Sequence, residues 1–261
     1  MYQPRTYRTL MERGERPFFR VMVQETDLYV HARKPLESVT RDLVLQYRAQ
    51  LETYLRSHPE FGRSLRPVSV RGPAPSIVRE MAEAGSLAGV GPMAAVAGAV
   101  AEQVGGDLLK NHTPEVIVEN GGDVFLKADT PSVIAVFAGR SPLSMKIGLR
   151  IDSRPHPMAV CTSSGSLGHS LSLGKGDAVC VVSRSCALAD AAATALGNRL
   201  QSRSDIPEAI DFAKDIAGVI GCVLVMEDKV GMWGDIEVVP IRGKAPFSSP
   251  AGRNPKRKIR I

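Results

Sequence analysis

Between residues 116 and 182 the chain strings together six short segments of strand character, 116–118, 124–127, 133–137, 146–151, 159–162 and 178–182, before another helical pattern intervenes. A run of strands bordered by runs of helices belongs to α+β architectures, not to the strict alternation that builds a parallel sheet. The expected fold is therefore a single α+β domain with a mixed, mostly antiparallel sheet and packed helices. Segments 18–23 and 28–32, separated by Gln-Glu-Thr-Asp, add a β-hairpin near the N-terminus. Val39, Leu43, Tyr47, Leu51 and Leu55 recur every fourth residue and predict an amphipathic helix that stops before His58-Pro59. Further helices are expected over 76–84, over GPMAAVAGAVAEQVGG, over CALADAAATALGNRL and over 207–216, with strands at 221–226 and 236–240. No repeat or linker divides residues 1–242, which are taken as the domain, and 243–261 as a disordered basic tail.

Charge supports that division. Six of the 33 Lys and Arg fall in the last nineteen residues, which hold no acid, so residues 1–242 balance 27 basic against 27 acidic groups. Without an aromatic platform or a groove-reading helix beside it, the tail argues against nucleic-acid binding. The four cysteines show neither CxxC nor Cys/His spacing, so neither a zinc site nor a secreted disulfide framework is indicated, and reduced thiols are expected. The start, MYQPRTYRTLMERGER, has no basic-then-apolar signal pattern, and the longest uncharged stretch, 84–101, is too weakly hydrophobic to span a bilayer. A cytoplasmic protein without a membrane partner is expected.

Three stretches carry candidate chemistry. In ENGGDV, residues 119–124, Asn120, Gly121, Gly122 and Asp123 form either a plain hairpin turn or a loop whose backbone N–H groups approach an anion. In AVCTSSGSLGHS, residues 159–170, Thr162, Ser163, Ser164 and Gly165 offer hydroxyls and backbone donors at a strand end, and His169 follows. Cys161 in the same stretch reads either as a small buried hydrophobe or as a thiolate nucleophile. In ALADAAATAL, residues 187–196, Asp190 and Thr194 stand four apart on one helix face. They suit either a hard cation or a local role, Asp190 facing a helix N-terminus and Thr194 bonding back to a carbonyl.

The order of these stretches resembles the ApbE-type flavin transferases, in which a GGD loop, a TSG loop with a following His and a DxxxT helix hold FAD and magnesium. The resemblance covers roughly residues 90–200, and the N-terminal YRTLMERGERPFFRVMVQETDLYVHA resembles an uncharacterised cytoplasmic branch of ApbE-like proteins. Gly98 and Glu102 match the glycine and acid of the A-x-A-K-G-x-x-x-D helix, whereas Ala97 stands at the lysine. HSLSLGKGDA replaces the usual segment after the histidine. The resemblance implies an ApbE-like, T-fold-related domain and FAD or FMN as cofactor. Mg²⁺ would be held by Asp190, Thr194 and the carbonyls of Ala193 and Val96, and His169 would serve as base toward an acceptor protein's hydroxyl. A homodimer is left open. The alternatives are Cys161-based sulfur chemistry, of the kind suggested for anaerobic sulfur assimilation in that branch, and non-catalytic flavin or nucleotide binding.

Overall fold

Period-two alternation places apolar side chains on both faces of one long sheet. The computed structural model describes residues 17–165 and 173–241. The long sheet runs in the order β1 (Phe18–Val23), β2 (Thr26–Ala32), β3 (Val116–Asn120), β4 (Asp123–Lys127), β7 (Met158–Ser163), β8 (Ala178–Ser183), β9 (Val219–Met226) and β10 (Lys229–Gly234). A second sheet is ordered β11 (Glu237–Pro240), β6 (Ile147–Ile151), β5 (Ser132–Ala135). The α+β domain with a mostly antiparallel sheet expected from the sequence is what the structure shows, and every pairing among the described strands is antiparallel.

In β8, Val179 and Val181 enter one hydrophobic cluster while Ala178, Cys180 and Val182 enter the other. The first cluster lies under the helices, and the second is closed by Ile134, Ile147, Leu149 and Val238 of the small sheet. The architecture is thus three layers: helices, long sheet, small sheet. Because its central strands are covered on both sides, β8 reads as a continuous apolar run, AVCVVS, without polar alternation.

The helix layer comprises α1 (Glu37–Ser57), α2 (Pro59–Arg63), α3 (Ser76–Ala88), α4 (Val96–Asn111), α5 (Cys186–Arg199) and α6 (Ile206–Asp215). The buried stripe of α1 is Thr40, Val44, Tyr47 and Leu51, while Val39, Leu43 and Leu55 are only partly buried. A strict period of four drifts about 40° per repeat on a helix of 3.6 residues per turn, so the expected series leaves the core face at both ends. The stretch 91–106 is not one helix: Pro92–Ala95 forms a 3₁₀ turn, and only Val96 onward is α-helical. Ser76–Ala88 outruns its expected end and stops at Gly89, whose φ of +72° favours glycine. Strand β10 was not expected at all. Among the described residues no single helix is long and apolar enough to cross a membrane, and α3 with Pro92–Asn111 qualifies only as a pair bent by 106°.

Candidate functional site

Helix α5 is apolar almost all round, and its residues from Cys186 to Gly197 are buried except Asp190 and Thr194, which are partly exposed. The expected pair therefore marks the one polar seam of a core helix. α5 crosses α4 at very short range. A Cβ on Gly98 would lie 2.3 Å from the Cys186 carbonyl oxygen and 2.9 Å from Asp190 Cβ, which is why only glycine fits there. The Gly98 N–H donates to Asp190 Oδ2 at 2.9 Å, and the Ala97 N–H also bonds this carboxylate. Asp190 thus sits on the positive end of α4. Val96, expected to offer its carbonyl to a metal, is the first residue of α4, and the groups that meet Asp190 are the amides that follow it. Ala193 is buried inside α5.

The Asn120-Gly121-Gly122-Asp123 turn joins β3 to β4 as a two-residue hairpin, with φ of +74° at Gly121 and +111° at Gly122. Asn120 Nδ2 donates to the Ala97 carbonyl at 3.0 Å, which fastens the turn to the start of α4. Across the pairing of β4 with β7, the turn adjoins the Cys161-Thr162-Ser163 strand end, and a Cβ on Gly122 would lie 3.5 Å from the Thr162 carbonyl oxygen. The turn, the strand end and the α5 seam, read separately from the sequence, therefore converge on one place.

Several backbone donors expected to face an anion are already engaged. The Gly122 N–H donates to Glu119 Oε1 at 2.8 Å, the Gly165 N–H to the Gly176 carbonyl at 2.9 Å, and the Thr162 N–H bonds the Asp123 carboxylate. The Thr162 hydroxyl lies 3.2 Å from Cys180 Sγ, and Ser163 packs its hydroxyl against Gly197 of α5. These groups shape the site from within. Glu119, buried to 1% exposure, was missed by the sequence reading. Its signal was the carboxylate three residues before an N–H that a two-glycine turn leaves unpaired.

What gathers at the centre is a pair of carboxyl groups. Burial, and after it the Asp190 carboxylate, pushes Asp123 well above the ordinary carboxylate range. Burial also raises Asp190, against the lowering effect of the Gly98 and Ala97 amides. Among the described residues, no Lys, Arg or His stands with the groups acting on either carboxylate. A third acid, Glu102 of α4, accepts from the Cys186 N–H at 2.7 Å, the Ala187 N–H at 3.1 Å and the Ser185 hydroxyl at 3.1 Å. It occupies the amino end of α5.

Cys161 is fully buried beneath α5. Burial, then Cys186 and the two aspartates, pushes its thiol well above its ordinary value, the opposite of what a thiolate nucleophile needs. The strand-end cysteine is a packed core residue. His169, Ser166 to Ser172 generally, and the tail 243–261 lie outside the described residues. A groove of about 540 Å³ opens beside Glu102, walled by Tyr47, Asp107, Phe125, His156 and Arg184, and neither Asp190 nor Thr194 lines it.

A family model described as AbpE bacteria matches residues 8–231. The chain belongs to this ApbE-like family. Its relatives include the UPF0280 protein MJ1526 of Methanocaldococcus jannaschii, 40% identical over 224 residues that cover 83% of this chain and 90% of the relative. A UPF0280 protein of Methanocella arvoryzae is 40% identical over 212 residues, covering 81% and 86%. Among solved structures, the apo flavinyl transferase ApbE of Pseudomonas stutzeri superimposes with a TM-score of 0.57 at 17% identity, over 87% of this chain and 94% of the other. The flavin transferase ApbE of Vibrio cholerae gives 0.52 at 14% identity, over 84% and 96%. At such identities the likeness is one of fold, and it extends over nearly the whole ApbE-like chain. Within that fold, Gly98 and Glu102 have structural work: one permits the α4–α5 crossing and the other anchors it.

Proposed function

We propose that this ApbE-like chain binds a flavin nucleotide with a Mg²⁺ ion at Asp190 and transfers FMN from FAD to a hydroxyl of an acceptor protein. The observation that carries the reading is the facing pair of carboxyl groups, Asp123 buried and Asp190 partly exposed, at the meeting point of turn, strand end and helix seam. A divalent cation relieves that arrangement, because opposite charge favours both ionised forms. The donor set fits a hard ion: the Asp190 carboxylate, the Thr194 hydroxyl one turn on, and a backbone carbonyl such as that of Ala193. Among the described residues no three His, Cys, Asp or Glu side chains converge to hold a metal, so water and nucleotide phosphates would complete the shell, as Mg²⁺ prefers. The flavin-transferase names of the fold neighbours support the choice of nucleotide.

When bound, the ion would neutralise charge on the pyrophosphate and on the departing AMP. The chain's own residues position it: the α4 amides orient Asp190, Asn120 holds the turn to α4, and Glu119 fixes the Gly122 N–H. In the transfer, a bond forms between the acceptor's hydroxyl oxygen and the FMN phosphorus. The bond from that phosphorus to the AMP oxygen breaks, and the hydroxyl proton passes to a base, the role the sequence offers to His169. Thermal-shift titration with FAD, FMN, ADP and AMP, each with Mg²⁺ and with EDTA, tests the binding half. Stabilisation by FAD that needs Mg²⁺ is expected, and a parent protein indifferent to every nucleotide would sink the reading.

A further inference from the structure

Two thiols that neither hold the ion nor react in the proposed transfer touch each other where the long sheet meets α5, and one of them, Cys161, also bonds the Asp123 carboxyl. Cys161 Sγ on β7 lies 3.5 Å from Cys186 Sγ on the first residue of α5, and also bonds the Cys186 carbonyl at 3.4 Å. Both are fully buried, and all four cysteines are free. The other two are not so arranged: Cys180 points into the cluster beneath the small sheet, facing the Thr162 hydroxyl, and Cys222 points into the helix-side cluster.

We propose that Cys161 and Cys186 form an oxidisable dithiol that a peroxide-class oxidant closes to a disulfide, clamping β7 to α5. One sulfur takes an oxygen from peroxide, giving a sulfenic acid as the O–O bond breaks and the first water leaves. The second sulfur then displaces that oxygen: the S–S bond forms, the S–O bond breaks, and the hydroxide leaves as a second water with the remaining thiol proton. Two electrons pass from the sulfur pair to the peroxide. The sulfurs must approach from 3.5 Å to a bond length of about 2.05 Å, a small shift for side chains already in contact. Because both are buried, oxidation waits on local opening of the strand–helix junction and is slow. Cys161 precedes Thr162, and Cys186 is one helical turn before Asp190, so the bond would fix the spacing of the two halves of the candidate site.

The test treats the full chain with hydrogen peroxide, stops it with catalase, alkylates under denaturing conditions and maps peptides without reduction. Sulfoxide on the exposed Met22 and Met232 serves as the control for oxidant exposure. The expected result is a cross-linked peptide pair joining Cys161 and Cys186, two hydrogens lighter and lost on treatment with dithiothreitol, with Cys180 and Cys222 recovered alkylated. In Cys186→Ser the cross-link should vanish without a replacement, and if that variant does not fold, the map of the unaltered chain decides alone. Recovery of both thiols alkylated after the methionines have oxidised, sulfinic acid on Cys161 without a cross-link, or a bridge between other cysteines would overturn the proposal.

Discussion

Glu102 of α4 closes the amino end of α5, and Asp190 of α5 closes the amino end of α4, through contacts of 2.7 Å from the Cys186 N–H and 2.9 Å from the Gly98 N–H. Each carboxylate satisfies amides that a helix start leaves unpaired and meets the positive end of that helix. The exchange fixes the register in which the two helices cross, and so the position of the candidate metal ligand.

Glu102→Ala strands the Cys186 and Ala187 amides and should cost about 2–4 kcal/mol, the scale of losing several hydrogen bonds to a charged group in a partly buried place. Glu102→Gln keeps an acceptor oxygen and should cost about 1 kcal/mol. Urea midpoints at unchanged slope measure both. Equal losses would mean that the carboxylate does not anchor the crossing.

Gly98→Ala should destabilise the protein although alanine is the better helix former. The propensity gain is about 1 kcal/mol, but the added Cβ meets the Cys186 carbonyl oxygen at 2.3 Å, and overpacking of that kind costs about 1–3 kcal/mol. Thermal denaturation decides it. A raised midpoint would show that the helices separate freely there.

Much of the fold was legible. Strands β3, β4, β7 and β8 stand where apolar runs and turn residues put them, because both faces of the long sheet demand such residues. Strand β10, KVGMWG, was illegible because Gly231 and Gly234 dilute its pattern. Gly231 is required by the close approach of Ile206, a contact from another element. The site showed the same limit. Spacing revealed that Asp190 and Thr194 share a helix face, but the meeting of Asp190 with Asp123 depends on strand pairing and helix crossing, which no local pattern encodes. The Gly165 and Thr162 amides likewise looked available because their partners lie elsewhere in the chain.

Metal-free protein should lose stability as the pH rises from about 4 toward 7. Asp123 and Asp190 have ordinary values of 3.8 in the unfolded chain and raised ones in the fold, so across that window the native state holds more protons than the unfolded state. Stability then falls with pH until the pair has ionised. Denaturation midpoints in EDTA should show this decline, and Asp190→Asn should flatten it by removing one of the two interacting charges. A parent protein whose stability climbs steadily through the window would contradict the buried pair.

Thr194→Val removes a neutral oxygen donor while keeping the shape. It should weaken Mg²⁺-linked FAD stabilisation by about 1–3 kcal/mol, the usual cost of one lost buried polar interaction, and leave apo stability nearly unchanged. The difference between Mg²⁺ and EDTA thermal shifts reads the effect. An unaltered difference would remove Thr194 from the ligand set.

If Asp190 links the metal to the nucleotide, flavin-fluorescence titration of FAD into the protein, in Mg²⁺ and in EDTA, reads that link as a difference in affinity. For the parent chain, binding should be at least about tenfold tighter with Mg²⁺, equivalent to about 1.4 kcal/mol of coupling. For Asp190→Ala the two affinities should coincide at the weaker value. Equal affinities in the parent, or an undiminished Mg²⁺ effect in the variant, would mean that Asp190 does not link metal and nucleotide.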